Sequence, residues 1–380
     1  MVKLVDPFLA IRPYQDHEVQ TVLSSLIEDP AVLKALISLK YSKYFNKLPF
    51  FRSLVKILLK SQVKNIHSIE GYQEAFKSLM DHMIKTSISN LDVKGISHLH
   101  TDSQYLFISN HRDISLDAAL LNLSLNRAGH KTFNMAVGNN LMKEKWASDL
   151  MRLNKSFIIQ RSGNKKEIYM GLSLASQFIQ HTILEAGESI WIAQKQGRAK
   201  DGIDETDPAM LKMIHLTERK TQPLGQYFNA LKVVPVSISY EFDPNDCLKA
   251  IELNALEKNK SYEKSENEDL ISIANGINGL KGNVTINVGQ PIQCNEIDSY
   301  EVVANKISKE ITSMYYLHPT NFAAASMLKT QHHCIHQFSE EDISKAKDLL
   351  NHRMANLDDG ARLKFLNQYA NPVIQKNSSI

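Results

Sequence analysis

Six short runs of apolar and β-branched residues, at 104–109, 132–137, 156–161, 189–194, 232–241 and 283–288, constrain this chain's fold more than any other feature. Each has strand length and is bounded by turn-forming or helix-patterned sequence. Strands alternating with helical patterns from about Leu91 to Ile292 predict an α/β domain. The regions on either side read as helical. Asp29-Pro30 opens one N-terminal helix with proline at its first position, and another is expected over Phe50 to Val63. The helix after Arg161 is expected to start at an Asn164 cap with Glu167 three residues on, and to stop at Gly187. The predicted organisation is residues 1–90 helical, 91–296 α/β, and 297–380 helical. Residues 199–231 read as irregular sequence with some helix, and 257–269 as an exposed excursion.

The richest segment is Tyr105 to Asp117, YLFISNHRDISLD. An apolar strand ends in Ser109-Asn110, His111 follows at its carboxyl end, and Asp113 and Asp117 come just before an apolar helical run. A histidine held by a carboxylate on the next helix can act as an oriented general base. No serine or cysteine nucleophile is needed if the substrate brings its own hydroxyl. The plainer reading is a polar histidine in an ordinary strand-to-helix turn. His111-Arg112-Asp113 imitates the protein-kinase catalytic loop. That signature needs asparagine five residues after the aspartate, where Ala118 stands, and it lacks its glycine-rich and Asp-Phe-Gly companions here. The nearest approach to a G-x-S-x-G elbow, Gly171 to Ala175, lies inside a helical pattern.

Four features in one order extend the argument. They are Asn110-His111 with Asp117, the strand SFIIQR ending in Arg161, the run Gln196-Gly197-Arg198-Ala199, and the Val234-Pro235-Val236 strand; NVTINVGQPI follows, ending at Ile292. Over roughly Asp92 to Ile292 this resembles the bacterial glycerolipid acyltransferases, the family of glycerol-3-phosphate and 1-acylglycerol-3-phosphate acyltransferases. The N-terminal IRPYQDHEV also resembles the opening of one bacterial branch of that family. The resemblance implies a mixed sheet flanked by helices, with helical additions at both ends. There are two departures. The spacing from His111 to Asp117 is one residue longer than the family's, so either Asp113 or Asp117 can be the orienting carboxylate. Asp117 is preferred because the apolar helix starts directly after it, with the extra residue as a bulge in the turn. Gln196 stands where the family has glutamate, which keeps a hydrogen-bonding group and loses the charge.

The activity implied is transfer of a fatty acyl group from an acyl-CoA or acyl-carrier-protein thioester to the hydroxyl of lysophosphatidic acid or glycerol-3-phosphate, in phospholipid synthesis. His111 would be the base and Asp117 its orienting partner. The acceptor phosphate would be met by Arg161, Gln196, Gly197, Arg198 and Lys200, since arginine's planar fork suits phosphate oxygens. No metal or bound cofactor is expected. The alternative is a catalytically impaired lipid-binding or regulatory protein on the same fold, with Gln196 as its best support.

Composition fits without deciding. Lys and Arg number 44 against 41 Asp and Glu, a net charge of +3 that does not argue for nucleic acid. Three scattered cysteines, Cys247, Cys294 and Cys334, suit a reducing cytoplasm. The N-terminus shows no signal peptide, and no window is long and apolar enough to span a bilayer. Arg52, Lys56, Lys60 and Lys64 recur every fourth residue beside apolar neighbours. That stripe suits either an anionic membrane surface or a solvated helix face. The expected location is cytoplasmic, peripheral on the inner face of the cell membrane. His332, His333, Cys334 and His336 crowd together, but adjacent residues rarely ligate one metal together, so a polar helix connection is expected there.

Overall fold

The computed structural model describes residues 6–40, 49–142, 144–265, 268–331, 333–334 and 338–378. Its elements run in the order α1 (Asp16–Glu28), α2 (Pro30–Lys40), α3 (Pro49–Val63), α4 (Ile69–Ser87), β1 (Ile88–Lys94), β2 (Leu106–Ser109), α5 (Leu116–Arg127), β3 (Asn134–Gly138), α6 (Lys145–Leu153), β4 (Ser156–Ile159) and α7 (Lys165–Gln180). There follow β5 (Ile190–Ala193), α8 (Pro208–Ile214), α9 (Leu224–Ala230), β6 (Val233–Tyr240), α10 (Asp246–Asn259), α11 (Glu268–Asn278), β7 (Gly282–Val288), α12 (Tyr300–Met314), α13 (Pro319–Met327), α14 (Glu340–Arg353) and α15 (Asp359–Asn377). They divide into two compact units, each assembled from two stretches of chain. One is Met1–Met80 with Asn134–Phe178, the other Asp81–Phe133 with Ile179–Ile380. This division is discontinuous along the sequence.

In the first unit β3 and β4 pair in parallel, from Met135 opposite Ser156 to Gly138 opposite Ile159. The IRPY segment runs beside them, with the Ile158 amide donating to the Ile11 carbonyl at 2.9 Å. Arg12 is buried there and answered by Asp6 at 2.5 Å and Glu18 at 2.6 Å, as a buried guanidinium requires. On α1, Val19, Val22, Leu23 and Leu26 form one face that packs with Val32 and Leu153. The expected caps form. Asp29 accepts from the Ala31 amide at 2.7 Å. The Asn164 side-chain oxygen accepts from the Glu167 amide, and the Glu167 carboxylate accepts from the Asn164 amide, both at 3.0 Å.

The second unit holds a mixed sheet in the order β1-β7-β6-β2-β5, antiparallel only between β6 and β7. Every residue of β2, β5 and β6 is buried. Interior strands covered on both faces are continuously apolar in this way, which is why their sequences read so clearly. Strand β1 escaped the sequence reading, which placed helix up to residue 90. ISNLDVK is polar and half-exposed, as an edge strand permits. Pro235 sits in the middle of β6 without breaking it. Its carbonyl accepts from Gly289 at 2.9 Å on the flank where the β7 register has already ended at Val288, so no facing strand loses a donor. Beyond the sheet, α13, α14 and α15 pack with α10 around Phe322, Leu350, Phe365 and Val373. This matches the expected C-terminal helices. The stretch around 257–269 is largely exposed, as expected, but α10 runs into it to Asn259 and α11 begins at Glu268, which is buried. His332 and His336 lie outside the described residues.

His318, at the N-cap of α13, is 1% exposed and its Nε2 has no partner. Burial therefore lowers its pKa from 6.5 to about 4. Between those values the unfolded chain binds the proton and the folded chain does not, so stability falls as pH drops from 6.5 to about 4. The full effect is about 3 kcal/mol. Urea unfolding at pH 7 and pH 5 should show about 2 kcal/mol of this loss in the natural protein and much less in His318→Gln.

Candidate active site

Strand β2 runs to Ser109, and the chain turns through Asn110, His111 and Arg112 into α5. Asn110 locks the turn to β6: its side-chain oxygen accepts from the Ile238 amide at 2.8 Å and its amide donates to the Ile238 carbonyl at 2.9 Å. His111 Nδ1 stands 2.8 Å from Asp117 Oδ2. The same oxygen accepts from the backbone amides of Arg112 (2.6 Å) and Asp113 (3.0 Å). Asp117 Oδ1 accepts from the Tyr240 hydroxyl at 2.8 Å. Burial and the adjacent Asp117 carboxylate push the Tyr240 hydroxyl's pKa well up, so it remains a donor. Asp117 is fully buried in the first turn of α5, where the helix dipole also favours a negative charge. A carboxylate can only accept, so the neutral imidazole must carry its proton on Nδ1. Nε2 is then left as the basic nitrogen. It makes no hydrogen bond among the described residues, and the side chain is 14% exposed. The edge of Trp191 packs on the ring at a centroid distance of 5.8 Å.

Asp113 has a different place. Its Oδ1 accepts from the Ser115 and Leu116 amides, both at 3.0 Å, and so answers the first amide of α5. Its Oδ2 is buried without a partner, and burial beside Asp117 raises its pKa. The additional residue in the His111-to-Asp117 spacing thus belongs to a turn that wraps its amides around the Asp117 carboxylate.

The loop after β5 is tied to this turn. The Ala199 amide donates to the His111 carbonyl at 2.7 Å, and the buried Arg112 guanidinium donates to Ala199 O at 3.4 Å and Gly202 O at 3.2 Å. Gly197 has φ +78°, and a Cβ there would meet nothing within 4 Å, so the backbone faces open space. Gln196 is exposed. Arg198 is half-buried, with Nη2 3.5 Å from Ser272 Oγ and Nη1 buried without a partner. Lys200 is ion-paired with Glu252 and is already neutralised. Arg161 belongs to the other compact unit, just past β4. Its amide donates to Asn139 Oδ1 at 3.0 Å, and burial lowers its pKa.

Sequence reasoning missed three contributors. Asp204 is buried and accepts from Arg112 Nη2 (2.5 Å), Asn110 Nδ2 (3.1 Å) and Gln194 Nε2 (3.3 Å). Lys249 donates to the Arg112 carbonyl at 2.7 Å and pairs with Asp243. Tyr240 closes the shell on Asp117. Only Tyr240, at the end of the VPV strand, had a signal that could have been followed. Among the described residues no three of His, Cys, Asp and Glu form a metal-holding group.

Comparison with known proteins gives a matching family and a distant structural likeness. The family model described as Acyltransferase matches residues 90–239, a stretch that includes His111, Asp117, Arg161 and Arg198. No curated protein sequence matches the chain. The solved structure of the 1-acyl-sn-glycerophosphate (LPA) acyltransferase PlsC from Thermotoga maritima aligns over 83% of this chain and 99% of that one, with 15% identity and a TM-score of 0.37. The family match and the turn that carries His111 agree on one class of chemistry: residues 90–239 are similar to the Acyltransferase family, which supports an enzyme of the acyltransferase type.

Proposed function

We propose that the protein moves a fatty acyl group from an acyl-CoA or acyl-carrier-protein thioester to the hydroxyl of lysophosphatidic acid or glycerol-3-phosphate. The observation that carries this reading is the His111–Asp117 contact of 2.8 Å, with the other imidazole nitrogen unengaged. An alcohol is a poor nucleophile until its proton is removed. His111 Nε2 takes that proton as the hydroxyl oxygen attacks the thioester carbonyl carbon. Asp117 stabilises the imidazolium that forms and holds its orientation. As the tetrahedral intermediate collapses, the carbon–sulfur bond breaks and the imidazolium returns the proton to the departing sulfur, giving a free thiol and a new ester. The residues need no metal or further cofactor for these steps.

Arg198, with one guanidinium nitrogen unsatisfied, is the first cation offered to the acceptor phosphate, and Gly197 lets the backbone come close. Arg161 would supply a further charge. Lys200 contributes less, because Glu252 holds it. Among the described residues no helix is long and apolar enough to cross a membrane. Helix α3 exposes Leu54, Ile57 and Leu58, which supports a peripheral seat on the inner face of the cell membrane. Of its basic stripe, Lys56 and Lys60 are shared with Glu28, while Arg52 and Lys64 form no ion pair among the described residues.

The test is release of free thiol from palmitoyl-CoA and palmitoyl-carrier protein, with glycerol-3-phosphate and lysophosphatidic acid offered separately. Acceptor-dependent turnover is expected, and His111→Ala should lower kcat by about 10²- to 10⁴-fold. Equal turnover in that variant would remove His111 as the base. No turnover with any pair would favour the lipid-binding alternative, with Gln196→Glu the variant to restore activity. The two aspartates should separate clearly. Asp117→Asn should lose activity on the scale of His111→Ala, because an amide cannot hold the Nδ1–H tautomer as a carboxylate does. Asp113→Asn, which keeps the oxygen that answers the first amide of α5, should retain most of it. Ring-nitrogen NMR shifts should place the neutral His111 proton on Nδ1 in the natural protein and move it towards Nε2 in Asp117→Asn.

A further inference from the structure

The loop that carries Gly197 and Arg198 is held on one side by the His111 turn and on the other by α15, which lies outside the family-matched residues. Asn371 and Gln375 stand one helical turn apart and so share a face of α15. Asn371 Nδ2 donates to the Asp201 carbonyl at 2.7 Å. Gln375 Nε2 donates to the Asp204 carbonyl at 2.8 Å, while its Oε1 accepts from the Asp204 amide at 2.9 Å. Between these contacts Gly202 packs against the Gln368 carbonyl: a Cβ there would stand 2.3 Å from that oxygen, and φ is +83°. Pro372 explains why this carbonyl is available, since proline has no N–H to return to the residue four before it. The helix itself is anchored. The Tyr369 hydroxyl donates to Asp246 at 2.7 Å and accepts from the Asp243 amide at 3.0 Å, and Phe365, Ala370 and Val373 are fully buried.

The grip continues to the histidine. The Asp204 backbone is held by Gln375, and its side chain takes bonds from Asn110 and Arg112, the residues on either side of His111. We propose that α15 is a positioning element for the acceptor-binding loop, with Asn371 and Gln375 fixing residues 201–204 so that Gly197 and Arg198 meet the acceptor beside His111. This rests on the reading of that loop as the acceptor phosphate site.

The experiment measures kcat, KM for the acceptor and KM for the thioester in full-length Asn371→Ala/Gln375→Ala, with Arg198→Ala alongside and hydrogen exchange of residues 195–207 followed in each. Loss of these three hydrogen bonds should raise the acceptor KM about tenfold, with kcat and the thioester KM little changed. Exchange in the loop should quicken by a similar factor. A variant that was merely less folded would lose kcat through its active fraction and leave KM alone. An unchanged acceptor KM in the pair, with KM raised in Arg198→Ala, would overturn the positioning role and leave the acceptor reading standing. An unchanged KM in Arg198→Ala would instead remove the acceptor reading and the proposal with it. Unaltered exchange in the loop would overturn the proposal by itself. If the pair does not fold, Gly202→Ala, which drives a methyl group against Gln368, should raise the acceptor KM in the same way, and an unchanged value would overturn the proposal.

Discussion

A single buried carboxylate organises the site. Asp117 has no exposed surface, and it accepts four hydrogen bonds: from His111 Nδ1, the Arg112 and Asp113 amides, and the Tyr240 hydroxyl. An ionised carboxylate in such a place is costly unless all its acceptor positions are answered. Here the answers come from the turn after β2 and from the end of β6, so satisfying one charge on α5 fixes three elements against each other. The tautomer of His111 follows from the same requirement.

Around this carboxylate lies a second buried pair, Arg112 with Asp204. Arg112 also donates to the carbonyls of Ala199 and Gly202, and Asp204 also receives Asn110 and Gln194. The histidine turn and the loop after β5 are therefore parts of one hydrogen-bonded network. Truncating a member would leave a buried charge or carbonyl unanswered, which costs more than the bond itself contributes. The less engaged residues sit at the edge of this frame: an exposed Gln196, an open Gly197, and an Arg198 with an unpartnered nitrogen. A base held by a buried carboxylate beside a cationic loop suits a reaction in which the nucleophile belongs to the substrate.

Much of this was legible in the sequence, for physical reasons that vary along the chain. Strands β2, β5 and β6 are covered on both faces, so they must be continuously apolar, and their sequences announce them. Strand β1 is half-exposed at the sheet edge, and its polar sequence reads as the end of a helical region. The capping of α7 by Asn164 and Glu167 was readable because it is a contact between near neighbours. Asp113 and Asp117 were not separable by spacing. Both lie within reach of the turn, and only the path of the Arg112–Ser115 backbone decides which of them faces His111.

What the sequence determined by itself was the alternation of strands and helices, the position of the histidine at a strand's carboxyl end, and the set of residues from which a base and a phosphate contact could be drawn. These are local properties, carried by periodicity and by groups close together in the chain. Only the tertiary structure decided which of those residues are already occupied. Glu252 claims Lys200, and the first amides of α5 claim Asp113. Nor does any pattern around Asp204, Asn371 or Gln375 mark them as part of the site, because their partners lie far away in sequence and what joins them is the packing of α15 against a loop of polar backbone.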